Sequence, residues 1–376
     1  PTLRRSRRQR QMCIRDRTET YANPSSRSHR PGRDAFTALE DARAKVARRL
    51  GARSPTEIYF TSGATEANNL ALRGVARARA DRGRHLVTQV TEHPSVLEPL
   101  RSLRQDGWEL TEVGVDENGR LRVDDLAAAL RDDTILVSLM HANNETGTLQ
   151  PVRQAAALVH QRGALLHCDA AQSVGKVGVD VSDLGVDLLT LSGHKLYAPK
   201  GIGALYVRRT KPALNVHPLL LGGGHESGLR SGTPNLPGAA GLACAVEIAV
   251  DALEAEGHQI AELRDRLEAP VVGNLENCTI NGEPDHRLPG TTNLSFAGVE
   301  GNALLASLPD LAVSSGSACT SSHSEASPVL LAMGVSPSLA RASLRLSVGR
   351  FTTSDDVDRA AQRIVEEVQR LRSLRR

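Results

Sequence analysis

The stretch DLLTLSGHKLYAPKGIGALYV, residues 187–207, decides the fold. Its two apolar runs, DLLTLS at 187–192 and GALYV at 203–207, have the length of buried strands and are joined by a turn that contains Gly and Pro. The turn carries Lys195, one of five lysines in a chain that otherwise uses arginine for its positive charge. Small and polar residues flank Lys195 and leave room for another group. The stretch therefore predicts two strands and a lysine placed for chemistry.

Short strand-like runs alternate with helical patterns on the N-terminal side of this stretch. The strand-like runs are EIYF at 57–60, HLVTQV at 85–90, TILVSLM at 134–140 and ALLHC at 164–168. Apolar residues recur at helical spacing at 34–50, 64–80, 95–105, 123–131 and 152–162. This alternation is typical of a mainly parallel sheet with helices on both faces, so we predict an α/β fold.

The pattern changes after Val207. A Gly-rich stretch at 219–238 leads into a helical stretch from Ala239 to Arg266, and then come the strand-like runs GTTNLSF, AVSSGS and LRLSVG with helices near 301–308 and 354–372. A length of 376 residues agrees with two domains, because single cores stop growing near about 250–300 residues. We predict a basic segment at 1–17 outside the fold, a large domain at 18–254 and a smaller α+β domain at 255–376.

Composition argues against several classes of protein. The net charge is only +3, and the first 17 residues hold seven arginines, so the body of the chain lacks a basic footprint for nucleic acid. Aromatic residues make up 2%, too few for base-stacking platforms. No apolar run reaches the ~18 residues that a membrane helix needs. The five cysteines are widely spaced without a C-x-x-C pair, so we expect no disulfide framework, no resident metal site and a cytoplasmic location.

Polar clusters follow five of the predicted strands. They are TSGATEANN at 61–69, TEHPS at 91–95, HANNETG at 141–147, DAAQS at 169–173 and SGHKLYAPKG at 192–201. Ligands of open α/β sheets bind outside the carboxyl ends of the strands. Lys195 is then a candidate for an imine with an aldehyde cofactor, and Asp169 for the partner of a protonated pyridine nitrogen. One alternative stays open: Lys195 and Asp169 could simply pair their charges.

These clusters belong to a series of motifs that resembles the cysteine desulfurases, pyridoxal-phosphate enzymes of aminotransferase class V and fold type I. The motifs run in family order over roughly residues 21–372: NPSSRSHRPGR, FTSGATEANNLAL, TEHPSV, HANNETGTLQP, HCDAAQSVGK, SGHKLYAPKGIGALYVR, GGGHESGLRSGTPN, SSGSACTS and SLRLSVGRFTT. The resemblance implies a mainly parallel, seven-stranded-type sheet in the large domain, pyridoxal 5'-phosphate as cofactor, and a homodimer.

The resemblance also implies roles around the cofactor. Lys195 would form the imine, Asp169 would hold the pyridine nitrogen, and Gln172 would hydrogen-bond the ring hydroxyl. His93 would stack on the ring and take part in proton transfer. The residues implied for the phosphate are Ala64, Thr65, Ser192 and His194, with Thr233 reaching the phosphate of the other subunit. Taken singly, either histidine could be an ordinary hydrogen-bonded residue, and Thr65 a plain first-turn residue.

The implied substrate contacts come from two further motifs. Asn144 in HANNETG would lie near the cofactor and the substrate carboxylate. Arg345 would clamp that carboxylate through its fork of donors. Only the motif SLRLSVGR favours Arg345 over Arg341 and Arg350.

Cys319 is the predicted sulfur carrier. It lies in SSGSACTSSHSEASP, a Ser- and Gly-rich run without helical or strand periodicity, whereas Cys168 and Cys244 lie in apolar runs that are typical of buried thiols. A thiolate on a polar loop is suited to approach a substrate. The resemblance assigns Cys319 the persulfide, with transient contact to a nascent iron–sulfur cluster.

Two features depart from the family pattern. The short strand and N-A-A-T-T-like segment expected before YANPSS are absent, and PTLRRSRRQRQMCIRDR stands in their place. We interpret residues 1–17 as foreign sequence without packed structure; a basic targeting arm or a nucleic-acid tail is the alternative. His225 in GGGHES occupies a position where glutamine is expected.

We therefore predict a cysteine desulfurase that converts L-cysteine to L-alanine and passes sulfur from Cys319 to an acceptor, such as an iron–sulfur scaffold protein or a tRNA-thiolation protein. A related class V lyase or aminotransferase, for which Cys319 would be incidental, is one alternative. A non-catalytic sulfur-assembly scaffold is the other. We expect neither a membrane nor a direct nucleic-acid partner.

Overall fold

A computed structural model describes residues 22–314 and 326–374, and these residues divide into two compact units. The first unit takes in the chain up to Val113 together with Val123–His141 and Pro151–Leu253. The second takes in Gly114–Arg122, Ala142–Gln150 and the chain from Glu254 onward. The segment 1–17 lies outside the described residues.

A large sheet forms the centre of the first unit. Its strands are β1 Ile58–Thr61, β2 His85–Gln89, β3 Glu109–Val113, β4 Thr134–Met140, β5 Leu165–Asp169, β6 Leu188–Ser192 and β7 Gly203–Val207. Within the described residues these seven strands have the order β1-β7-β6-β5-β4-β2-β3. Strands β3, β2, β4, β5 and β6 are parallel, and β7 lies antiparallel between β6 and β1. The predicted α/β fold with a mainly parallel sheet is confirmed.

Seven α-helices belong to the first unit among the described residues, and several of them pack against this sheet. They are α1 Arg30–Arg49, α2 Ala64–Ala78, α3 Pro94–Leu103, α4 Val123–Ala129, α5 Val152–Gln161, α6 Val181–Leu184 and α7 Leu236–Asp251. Leu72 of α2, Leu100 of α3 and Leu136 of β4 are buried in one apolar cluster. Glycine is required where β7 meets the start of α2, because a Cβ on Gly203 would lie 2.7 Å from the Cα of Gly63. The first turn of α2 therefore sits against the sheet.

The second unit is built on a smaller antiparallel sheet. Its strands are β8 Cys278–Ile280, β9 Thr291–Phe296 and β10 Ser343–Ser347, in the order β10-β9-β8. The helices are α8 Leu253–Asn274, α9 Gly301–Ala306, α10 Pro328–Ala332, α11 Pro337–Arg341 and α12 Ser354–Ser373. Phe296 of β9, Leu344 of β10 and Ile364 of α12 are buried in its core. These elements make the unit α+β.

The structure differs from the sequence predictions in several elements. The helical stretch predicted from Ala239 to Arg266 is two helices, α7 and α8, which meet where an almost wholly apolar sequence gives way to a polar one. Strand β3 was missed because two glutamates interrupt its apolar residues. Of AVSSGS, which was predicted as a strand, residues 315–317 lie outside the described residues, and Ser314 forms an isolated bridge with Arg345.

The domain prediction needs a correction of a different kind. The break after Leu253 lies one residue before the predicted boundary, but 114–122 and 142–150 belong to the second unit, not the large domain. Hydrogen bonds explain both segments. The N–H of Leu149 donates to the carbonyl of His286 at 2.8 Å, and the N–H of Leu288 donates to the carbonyl of Gly147 at 2.9 Å. Segment 114–122 is joined to 142–150 by Gln150, whose Oε1 accepts the N–H of Leu121 at 2.9 Å and whose Nε2 donates to the carbonyl of Gly119 at 2.8 Å. Asn144 is therefore a residue of the second unit.

Length and apolar composition decide whether a helix of the described residues could cross a bilayer. No single helix there is long and apolar enough to cross a bilayer, and only the bent pair α7 and α8 together has the required length and composition.

Candidate active site

Lys195 and Asp169 lie at the carboxyl ends of neighbouring parallel strands. Asp169 is the last residue of β5, and Lys195 lies in the 3₁₀ turn Gly193–Leu196 directly after β6. Tyr197 closes this turn with a left-handed backbone (φ 61°). Asp169 is buried, Lys195 is exposed, and the positive charge of Lys195 acts on the Asp169 carboxylate. Both residues thus occupy the sheet edge where α/β proteins bind ligands.

The Asp169 carboxylate is held by two hydrogen bonds. Its Oδ1 accepts the N–H of Ala171 at 2.9 Å, and its Oδ2 accepts Nδ2 of Asn68 at 2.8 Å. Burial raises the pKa of Asp169 above its ordinary value, although these hydrogen bonds and the nearby His93 and Lys195 act in the opposite direction. A buried carboxylate with a raised pKa is stabilised in its charged form by a cationic partner, such as a protonated ring nitrogen.

His93 begins helix α3 as its N-cap. Its Nδ1 accepts the backbone N–H of Ser95 at 3.1 Å and lies 2.8 Å from the Ser95 hydroxyl. Since a backbone N–H only donates, Nδ1 carries no proton, and neutral His93 has its proton on Nε2. Burial lowers the pKa of His93, with Asp169 opposing this shift. The neutral ring with an Nε2 proton is therefore the favoured form at neutral pH.

Asn68 is a site residue that sequence reasoning missed. It is fully buried, and its amide donates both to Asp169 Oδ2 at 2.8 Å and to the Ser95 hydroxyl at 2.9 Å. Since Ser95 in turn contacts His93, one amide joins the predicted ring-nitrogen partner to the predicted stacking residue. The motif TSGATEANN contains Asn68, but nothing in its spacing indicates this contact.

The residues predicted to bind phosphate surround the start of α2 and the end of β6. Ala64 is the first residue of α2, and no side chain in the described part of the chain caps that helix, so its first N–H groups can bind an anion. Thr65 is exposed beside it. The Ser192 hydroxyl lies 2.9 Å from His194 Nδ1, and burial together with nearby lysines lowers the pKa of His194.

Gln172 and Thr233 were also predicted to contact the cofactor, and neither takes part in the hydrogen bonds given above for the described residues. Gln172 accepts the Lys176 ammonium at 3.2 Å through its Oε1. Thr233 is exposed in the Gly-rich loop. His225 of the same loop accepts the N–H of Gly232 at 3.3 Å, so the residue that departs from the expected glutamine serves the loop itself.

The predicted substrate residues lie in the second unit. Arg345 of β10 is half-buried, and its guanidinium donates to the carbonyl of Asn144 at 3.1 Å. Arg350 is buried and holds Glu256 with contacts of 2.6–2.9 Å, whereas Arg341 is exposed at the end of α11. Arg350 therefore forms a structural ion pair with Glu256. Cys319 lies outside the described residues.

Comparison with known proteins identifies the family. The family described as Aminotransferase class-V matches residues 12–360. "Cysteine desulfurase IscS" of Anaeromyxobacter sp. (strain Fw109-5) is 49% identical over 356 residues, which cover 95% of this chain and 88% of that protein. The chain belongs to the cysteine desulfurases. The resemblance stated from the motifs is thus confirmed, and the match begins at residue 12, inside the segment that was interpreted as foreign.

Solved structures agree with this family. A structure described as "NIFS-LIKE PROTEIN" has a TM-score of 0.89 at 36% identity and covers 97% of this chain and 96% of its own. One described as "SspA in complex with cysteine" has a TM-score of 0.79 at 35% identity and covers 92% of this chain and 96% of its own. The predicted fold type I architecture is confirmed.

Pyridoxal 5'-phosphate is the cofactor of this family, and the first unit fits it. Three observations support the fit: the buried Asp169 carboxylate suits a cationic ring nitrogen, the uncapped start of α2 suits a phosphate, and Lys195 lies at the same sheet edge. The contacts of individual residues with the cofactor stay predictions.

Proposed function

We propose that the chain converts L-cysteine to L-alanine and transfers the sulfur to Cys319 as a persulfide. In this reaction the Cβ–S bond of cysteine breaks, its electron pair stays on Cβ and takes up a proton, and an S–S bond forms at Cys319. One observation carries the proposal: exposed Lys195 and buried Asp169 share the carboxyl edge of adjacent strands in a chain of the cysteine desulfurase family. Cysteine is also the ligand that a solved relative is described as holding.

The chain's own residues would have different roles in this reaction. When bound, pyridoxal phosphate withdraws electrons from the substrate α-carbon. Lys195 would hold the cofactor and move a proton at Nζ, and His93 would hold a proton at Nε2. Asn68 would keep Asp169 and His93 in place. Arg345 would bind the substrate carboxylate through two parallel hydrogen bonds.

The sulfur acceptor and the assembly belong to the same proposal. A persulfide on Cys319 needs a protein acceptor, such as an iron–sulfur scaffold or a tRNA-thiolation protein, and Cys319 would contact a nascent cluster only during transfer. Thr233, exposed in the Gly-rich loop, would reach the phosphate site of a second copy in a homodimer. The reactive thiol suits the reducing cytoplasm.

Two substitutions test the proposal. Lys195→Ala is expected to abolish alanine formation from cysteine. Cys319→Ser is expected to keep the cofactor absorbance and cysteine binding but to lose sulfide release in the presence of a reducing thiol. Cys168→Ser is the control, because Cys168 is buried and burial raises its pKa, which leaves it unreactive. Full activity of Cys319→Ser would favour the class V lyase alternative, and a chain that binds no cofactor would favour the scaffold.

A further inference from the structure

Glu145 is a buried carboxylate that none of the roles above uses. It follows Asn144 in the HANNETG motif and is 4% exposed. Its Oε2 accepts the hydroxyl of Ser327 at 2.5 Å, across 182 positions of sequence within the second unit. The Ser327 hydroxyl in turn accepts the N–H of Leu330 at 3.2 Å and caps α10. The donor and one acceptor position of this hydroxyl are therefore both occupied.

Ser314, the last described residue before 315–325, is hydrogen-bonded close to Asn144 and Glu145, through Arg345. The N–H of Arg345 donates to the carbonyl of Ser314 at 2.8 Å, while the Arg345 guanidinium donates to the carbonyl of Asn144 at 3.1 Å. Burial raises the pKa of Glu145 above its ordinary value, and the hydrogen bond from Ser327 and the positive charge of Arg345 act in the opposite direction. Residues Ser314 and Ser327, on either side of 315–325, are thus both held by the group formed by Asn144, Glu145 and Arg345.

Capping of a helix does not explain this carboxylate. Helix α11 also begins with a Ser-Pro pair, and its cap Ser336 accepts the N–H of Leu339 at 3.4 Å. The Ser336 hydroxyl is exposed and its other contact is the hydroxyl of Ser338 at 3.2 Å. Burying a carboxylate costs free energy, and Ser336 caps its helix without one. Helix capping alone therefore does not account for the contact between Glu145 and Ser327.

We propose that Glu145 is a positioning residue for sulfur transfer, which acts through Ser327 and Arg345 to set the two ends of the Cys319 segment relative to the carboxylate-binding guanidinium. The inference rests on the proposed function. It assigns Glu145 to the step that needs Cys319 and not to the steps that precede it. A small misplacement of a reacting group can cost up to about 100-fold in rate, so loss of this contact is expected to be visible in kcat.

The test compares Ser327→Ala with Ser336→Ala, which removes a matched Ser-Pro cap that has no buried carboxylate. We expect Ser327→Ala to lower kcat for cysteine desulfuration by about tenfold relative to Ser336→Ala, with KM changed by less than about threefold. Ser327→Thr, which keeps the hydroxyl, should restore most of kcat. Glu145→Gln keeps an acceptor but removes the charge beside Arg345. Its kcat should lie between those of Ser327→Ala and the unchanged chain.

A second measurement separates sulfur transfer from the steps that precede it. Exchange of the α-hydrogen of L-alanine with deuterated water does not use Cys319, so its rate in Ser327→Ala should equal that in Ser336→Ala. Equal kcat in these two variants, or an equal loss of kcat and exchange in Ser327→Ala, would overturn the inference while leaving the proposed function intact. Desulfuration that persists in Cys319→Ser would instead overturn the proposed function itself.

Discussion

At the residue scale, Asn68 shows how one buried amide can serve two functional groups. Its two hydrogens are directed to Asp169 and to Ser95, which holds His93 Nδ1. The amide therefore stabilises the charged form of Asp169 and, through Ser95, the His93 form with a proton on Nε2. No charged residue is needed for this link.

Asn68→Ala is expected to weaken pyridoxal phosphate binding by about 10- to 100-fold, because a hydrogen bond to a charged group is worth about 1.5–3 kcal/mol. Without the donor, the pKa of Asp169 should rise further. Titration of the cofactor into cofactor-free protein measures the change. Asn69→Ala is the matched control, since Asn69 bonds only the carbonyl of Thr65 among the contacts described for its side chain. Equal affinities in the two variants would contradict the role given to Asn68.

Glu92 is a second buried carboxylate beside Asp169. Its Oε1 accepts the N–H of Met140, where β4 extends beyond the end of β2. Burial, together with the charge of Asp169, raises the pKa of Glu92 well above its ordinary value, so the fold favours the neutral acid. The stabilisation from neutral Glu92 is complete below the unfolded pKa of about 4.3 and is lost as pH rises through the raised folded pKa.

Glu92→Gln places a permanently neutral group at this position. We expect the cofactor-free variant to melt at a higher temperature than the unchanged chain at pH 8, with a gap that closes as the pH falls toward about 4. Melting curves recorded between these pH values measure it. Glu98→Gln on the exposed face of α3 should show no such trend. A pH-independent gap for Glu92→Gln would mean that Glu92 is not held neutral.

At the scale of elements, one buried ion pair ties the Gly-rich loop to the first helix and strand. Arg43 of α1 contacts both carboxylate oxygens of Glu226, at 2.7 and 2.9 Å, and donates to the carbonyl of Ile58. Glu226 also accepts the N–H of Phe60 at 2.9 Å. Glu226 and Ser227 have left-handed backbones, with φ of 48° and 55°. The loop that carries Thr233 therefore depends on this pair for its conformation.

Glu226→Ala is expected to destabilise the chain by about 3–5 kcal/mol, because it removes the bidentate partner of a buried guanidinium and leaves only the more exposed Glu40 at 3.1 Å. Asp358→Ala is the control: its bidentate pair with Arg266 has similar distances but is about half exposed and screened by solvent, so its loss should destabilise the chain much less. Urea unfolding of both variants gives the comparison. Equal losses of stability in the two variants would mean that burial does not explain the contribution of the Glu226 pair.

At the scale of the whole molecule, residues 1–17 carry seven arginines and no apolar periodicity, so self-repulsion opposes their burial. Deleting them is expected to leave cofactor affinity, melting temperature and assembly mass unchanged apart from the deleted residues. The proposed homodimer would have about twice the 40.2 kDa of one chain. Light scattering and cofactor titration check this. Because the family match begins at residue 12, a fall in affinity or mass would show that part of this segment belongs to the fold.

The sequence by itself determined six of the seven strands that the described residues form in the large sheet, and it placed the candidate site at the ends of those strands. Strands β4 and β7 were predicted with their observed ends, and the other predicted strands of the large sheet within one residue. Apolar runs and the polar clusters after them are local patterns, and a parallel sheet brings the ends of its strands to one edge. Lys195 and Asp169 were therefore found without a structure.

Only the tertiary structure decided which distant residues touch. The contact of Asn68 with Asp169 spans 101 positions and that of Ser327 with Glu145 spans 182, and no periodicity marks either pair. The placement of 114–122 and 142–150 in the second unit has the same origin: backbone hydrogen bonds join 142–150 to His286 and Leu288, and the Gln150 side chain joins 114–122 to 142–150. Buried polar groups must find partners wherever the chain passes, and the path of the chain is set by packing of the whole core.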